Sequence, residues 1–88
     1  MELWIRSQDK MKLVKVNYCY IMDRQDHFTI IGETIDSGPI VGTYATKERA
    51  LEVLDEIQNL MRSLTVSNLK IIQYDMPNEL ERKDNNDN

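Results

Sequence analysis

Over the first half of the chain, apolar and polar positions alternate with the period of a pleated strand. From Glu2 to Ser7, Leu3 and Ile5 fall on one face and Trp4 and Arg6 on the other. Lys12 to Met22 continues as one long strand or two, with Val14, Val16, Tyr18, Tyr20 and Met22 sharing a side. Asp23-Arg24-Gln25-Asp26 has the polar make-up of a hairpin turn, and His27 to Glu33 returns with Phe28 and Ile30 in phase. Asp36-Ser37-Gly38-Pro39 marks another turn before Ile40 to Tyr44. These segments predict an antiparallel β-meander.

The period then changes to 3.6. Thr46 is placed to cap a helix through its hydroxyl, and Glu48 falls in the first turn, where the positive end of the helix dipole favours it. Ala50, Val53, Leu54, Ile57, Leu60, Met61 and Leu64 form one stripe about a third of the helix circumference wide, the width of a core-facing stripe. A break around Thr65-Val66-Ser67-Asn68 precedes Leu69 to Tyr74, which again reads as a strand. The fold class is therefore α+β: a β-meander covered by one main helix, with a returning C-terminal strand.

Composition bounds the molecule further. The chain has 88 residues, 41% hydrophobic and 30% charged, which is enough for one domain and a thin core, so a homo-oligomer is expected. That domain is read as residues 1–77, closed by Met76 and Pro77. The tail from Asn78 to Asn88 holds a single large apolar residue and is expected to be disordered. The longest apolar run, Tyr18 to Met22, is far short of the roughly 20 residues of a membrane span, and the first residues lack the charge order of a signal peptide. No membrane partner is expected. The lone Cys19 excludes an intrachain disulfide and reads as a reduced thiol, so the expected location is cytoplasmic. A net charge of −4 argues against general duplex DNA binding, which depends on neutralising phosphates.

Candidate chemistry is sparse. Cys19 and His27 are the only thiol and the only imidazole. Counting outward from the turn sets Met22 opposite His27 and Cys19 opposite Ile30, which leaves Cys19 and His27 roughly 10 Å apart and out of reach as a catalytic dyad. No glycine-rich phosphate loop and no metal-ligand motif is present, and Gly32, Gly38 and Gly42 stand alone. The expectation is a protein that is not an enzyme and needs no cofactor. Glu48, Glu52, Asp55 and Glu56 crowd the outer face of the helix with no base four residues on. They read either as a solubilising face or as an acidic surface for a basic partner.

The start of the chain combines an aromatic with cations. Trp4 and Arg6 share a strand face, Gln8 follows in phase if the strand continues, and Lys10 sits at the turn. An indole stacks on a base, a guanidinium grips phosphate in a fork and an amide pairs with a base edge, so the strip suits a nucleotide. The same residues also suit a subunit interface, with Trp4 under a sheet edge and Arg6 on a carboxylate.

Ile5-Arg6-Ser7-Gln8-Asp9-Lys10, the helix start Thr46-Lys47-Glu48-Arg49-Ala50-Leu51 and the closing Tyr74-Asp75-Met76-Pro77 together resemble small uncharacterised proteins of Firmicutes phages and prophages. Ser7 stands where that pattern more often has Thr. In element order the chain is also similar to the first Thoeris anti-defence family, which sequesters cyclic nucleotide signals. The resemblance implies a phage accessory protein in the host cytosol that acts as a sponge for a cyclic nucleotide immune signal. Trp4, Arg6, Gln8, Lys10 and Arg49 are then its ligand contacts. The alternative is a protein inhibitor of a host defence effector, presenting Glu48, Glu52, Asp55 and Glu56.

Overall fold

The structure is a computed structural model describing residues 2–66 and 71–78, with the side chains of 64–66 excepted. Six strands and one helix follow the predicted order: β1 (Glu2–Arg6), β2 (Leu13–Val16), β3 (Tyr18–Asp23), β4 (Phe28–Glu33), β5 (Ile40–Tyr44), α1 (Lys47–Val66) and β6 (Ile71–Asp75). They form two three-stranded sheets, ordered β2-β1-β6 and β3-β4-β5. The fold is α+β. The meander is confined to the second sheet, where β3/β4 and β4/β5 pair antiparallel. In the first, β1 and β2 make an antiparallel pair, and the C-terminal strand β6 returns parallel to β1.

One expectation is corrected where the sheets part. Val14, Val16, Tyr18, Tyr20 and Met22 do not share a side, because the chain leaves one sheet for the other at Asn17. Val16 is buried in the core, whereas Tyr18 is 61% exposed. Asn17 links the sheets by donating its backbone N–H to Glu33 O at 2.8 Å. The hairpin register also differs from the expected one. A four-residue loop, closed by Arg24 N–H on His27 O, sets Met22 opposite Thr29 and Cys19 opposite Gly32.

The helix starts as its cap residue dictates, with Thr46 Oγ1 accepting the Arg49 backbone N–H at 3.1 Å. Ala50, Val53 and Ile57 are buried, and Leu60 and Met61 pack at the margin. The Leu64 side chain, Leu69 and the tail 79–88 lie outside what the structure describes. The helix runs through Thr65 and Val66, where a break was expected. It packs against both sheets, and Leu3, Ile5, Val16, Ile30, Val41 and Ile72 meet it in one core. Burying a side chain such as Ile57 contributes about 1.5–3 kcal/mol.

A bulge between Ile30 and Ile31 gives β5 one extra residue, so Val41 and Gly42 both face inward. Gly42 must be small. A Cβ there would lie 2.9 Å from both Met76 Cε and Tyr44 Cε2. Met76, fully buried, thus locks the segment after β6 into the core beside β5. Among the described residues no helix is long and apolar enough to cross a membrane.

Candidate functional site

Strand alternation on the central strand β1 sends Leu3 and Ile5 into the core and Glu2, Trp4 and Arg6 to the opposite, open face of the sheet. Pairing then decides their neighbours. Trp4 stands opposite Lys15 on β2 and Gln73 on β6, so Lys15, Trp4 and Gln73 form a row across all three strands. Arg6, one row along, lies between Leu13 and Asp75. The half-buried indole is held by Glu2, whose Oε1 accepts Trp4 Nε1–H at 3.1 Å and whose other oxygen is 3.6 Å from Lys15 Nζ. The indole N–H, and then the Lys15 charge, hold the Glu2 carboxyl below the usual carboxylate range. Beyond Trp4, a groove of about 350 Å³ is lined by Trp4, Val14, Lys15, Asn17, Thr34 and Ile35. That volume falls within the roughly 300–1,000 Å³ of small-molecule sites.

Arg6 is the least satisfied cation of this face. Its Nε is buried without a hydrogen-bond partner among the described residues, and its Nη1 reaches Lys10 O only at 3.5 Å. Gln73 Nε2–H donates to Asp75 Oδ1 at 2.8 Å, which orients the amide beside the indole. The face therefore carries an aromatic plate, two cations and a fixed amide on two adjacent rows of the three strands, beside the carboxylates of Glu2 and Asp75.

Gln8 is not on this face. Strand β1 ends at Arg6 because the buried Ser7 folds the chain back: its hydroxyl donates to Asp9 at 2.6 Å and accepts the Lys12 N–H at 3.0 Å. The Ser7 hydroxyl and the Met11 N–H pull the Asp9 carboxyl below its ordinary value. Gln8 then turns to β5 and completes its edge. Its backbone N–H donates to Val41 O at 2.7 Å, and its side-chain oxygen accepts Thr43 N–H at 2.8 Å. Its Nε2 donates to both Thr43 O and Pro77 O at 3.1 Å. An amide side chain here stands in for a strand, closing one edge and pinning the C-terminal segment. Lys10, exposed at the loop tip, adopts φ 70° and presents its carbonyl to Arg6.

Arg49 is also elsewhere. It is 6% exposed, with its guanidinium 5.8 Å from the centre of the Tyr44 ring and 3.1 Å from Glu52. The same corner holds Tyr44 Oη–H on Pro77 O at 2.7 Å and a short hydrogen bond from Tyr74 to Glu56. Burial, and then Glu56, push the Tyr74 phenol far above its ordinary pKa. Glu52 and Glu56 are thus tied to the protein's own groups, and Glu48 and Asp55 stand exposed on the helix.

The observed register puts Cys19 five residues along β3 and β4 from His27, about 16 Å. Burial raises the Cys19 thiol pKa, and His27 Nδ1 lies 2.6 Å from its neighbour Asp26. Among the described residues no group of three or more His, Cys, Asp or Glu is placed to hold a metal ion.

The structure therefore unites Trp4 and Arg6 and adds Lys15 and Gln73, which the sequence reading missed. Strand alternation already turns Lys15 outward, but its place beside Trp4 needs the β1/β2 register, and that of Gln73 needs the parallel β1/β6 pairing. No protein-family model, curated protein or solved structure matches the chain.

Proposed function

We propose that this chain is a non-catalytic binding protein that captures a nucleotide-type ligand on the open face of the sheet β2-β1-β6. Its role is to sequester a cyclic nucleotide immune signal during phage infection. The observation that carries the binding reading is the row Lys15-Trp4-Gln73 with Arg6 in the next row of the same face and the groove beside the indole. The resemblance of the Ile5 to Lys10 segment, the helix start and Tyr74-Asp75-Met76-Pro77 to phage proteins supports the role.

In this reading a base stacks on Trp4 while Arg6 and Lys15 take phosphate oxygens. The orphaned Arg6 Nε gains an acceptor, and Lys15 exchanges its 3.6 Å contact with Glu2 for a phosphate. Stacking supplies about 1–3 kcal/mol per base, and each charge-assisted hydrogen bond about 1.5–3 kcal/mol. Their sum corresponds to dissociation constants between the millimolar and micromolar ranges for a single face. A sponge of this affinity works by abundance rather than by tight capture.

A thermal-shift screen of the purified protein against cyclic dinucleotides, cyclic trinucleotides and cyclic ADP-ribose isomers tests the reading. A ligand at one hundred times its dissociation constant adds about 2.7 kcal/mol, roughly 10–20 °C for a domain of this size. A shift with one ligand class that disappears in Arg6→Glu supports the proposal. A flat screen on well-folded protein refutes it for those ligands.

A further inference from the structure

The sheet β3-β4-β5 has a second face, turned away from the core, on which no helix or strand of the described residues packs. Tyr18, Tyr20 and Met22 project there from β3, beside Ile31 on β4 and Ile40 on β5. Tyr18 is 61% exposed, Ile40 44% and Met22 37%. Ile31 is 4% exposed yet lies outside the main core cluster, so it is the centre of a separate apolar patch. Tyr18 and Tyr20 stack with ring centres 5.9 Å apart, which makes the patch flat and stiff.

Its charges sit at opposite ends. At the hairpin end Arg24 lies over the face, its Nε–H donating to Thr29 Oγ1 at 3.3 Å. At the other end Glu33 accepts the Tyr20 hydroxyl proton at 3.1 Å. Neither residue makes an ion pair among the described residues. Thr29 and Glu33 are four residues apart on one strand, so their backbone positions are about 13 Å apart along the face, with Tyr20 and Ile31 between them.

A cation at one end, an anion at the other and an apolar centre make a surface complementary to itself under a two-fold rotation. We propose that this face binds a second copy of the chain. The axis passes near Tyr20 and Ile31 and brings each Arg24 onto the partner's Glu33. Such an isologous contact uses every interaction twice. Three strands about 4.8 Å apart and six residues long give each copy a contact face of roughly 15 by 20 Å, with the sheets about 10 Å apart. The area buried, roughly 600 Å² over the two copies, lies well below the 1,200–2,000 Å² of stable complexes, so the dimer is a weak and concentration-dependent one. Trp4 and Arg6 lie on the other sheet and take no part.

Sedimentation velocity on the full chain, from about 5 to about 500 µM, spans the affinity of an interface of this size. Wild type is expected to shift from monomer to dimer across this range. Arg24→Glu and Glu33→Arg should each weaken dimerisation at least tenfold, and the doubly reversed variant should restore it, since like charges meet in each single variant and opposite charges in the double. Tyr18→Glu, at an exposed position, should also give monomer with an unchanged melting temperature. A wild type that stays monomeric to the top of the range overturns the proposal. So does a dimer that survives Arg24→Glu and Tyr18→Glu in folded protein.

Discussion

Replacing Gln8 by Ala separates a structural amide from a ligand-reading one. In the native fold that side chain makes three hydrogen bonds, to Thr43 N–H, Thr43 O and Pro77 O. Each is worth about 0.5–1.5 kcal/mol net, and water replaces part of what is lost at this half-buried site, so the expected cost is about 2 kcal/mol. For a domain of this length that lowers the melting temperature by roughly 10 °C in circular dichroism or calorimetry. Gln8→Glu adds a sign. A carboxylate still accepts the Thr43 N–H but faces two carbonyl oxygens, so its pKa in the folded state lies above the ordinary glutamate value of about 4.3. Its contribution is therefore fully present below that unfolded value and is lost as pH rises through the folded one. The stability gap between Gln8→Glu and wild type should narrow on acidification and widen toward neutrality. A Gln8→Ala protein that melts within about 2 °C of wild type, well inside the change expected for one lost bond, refutes the reasoning.

Three further outcomes follow from the same contacts. Thr46→Ala removes the oxygen that receives the Arg49 N–H and should cost about 1 kcal/mol by urea denaturation, whereas Thr46→Asp should keep most of it. Gly42→Ala places a methyl 2.9 Å from Met76 Cε and the Tyr44 ring and should destabilise by about 1–3 kcal/mol, partly relieved by shortening Met76 to Ala in the double variant. Because the Tyr74 phenol has its pKa raised by burial and by Glu56, its contribution to stability is intact below about pH 10, the unfolded tyrosine value, and declines above it. Alkaline melting curves of Tyr74→Phe should show a shallower fall with pH than wild type, and parallel curves would contradict the assignment.

How much of this was legible in the sequence depends on how local the cause is. The Thr46 cap and the buried positions Ala50, Val53 and Ile57 follow from contacts within one helix, and both were read correctly. The change of side at Asn17 was not, because Val16 and Tyr18 are both acceptable in a continuous strand and only the existence of two sheets separates them. Gln8 was placed in phase with Trp4 and Arg6 for a similar reason. Alternation predicts its side only while the strand lasts, and the Ser7 hydroxyl ends the strand one residue earlier. Arg49 reads from the sequence as a free cation at a helix start, yet the Tyr44 ring that covers it comes from β5. Trp4 and Arg6 were legible as a pair because they lie on one strand. Lys15 and Gln73 became their neighbours only through pairing across 11 and 69 positions of sequence.

The indole at the centre of the open sheet also provides the most direct measurement, since Trp4 is the only tryptophan in the chain. Its fluorescence can be followed during titration with cyclic dinucleotides, cyclic trinucleotides and cyclic ADP-ribose isomers, in wild type, Arg6→Glu and Lys15→Glu. Capture on this face predicts saturable quenching by one ligand class in wild type, and at least tenfold weaker binding in each folded charge-reversed variant, the loss of one charge-assisted contact. Unchanged Trp4 emission with every ligand, or quenching that both reversals leave intact, would contradict it.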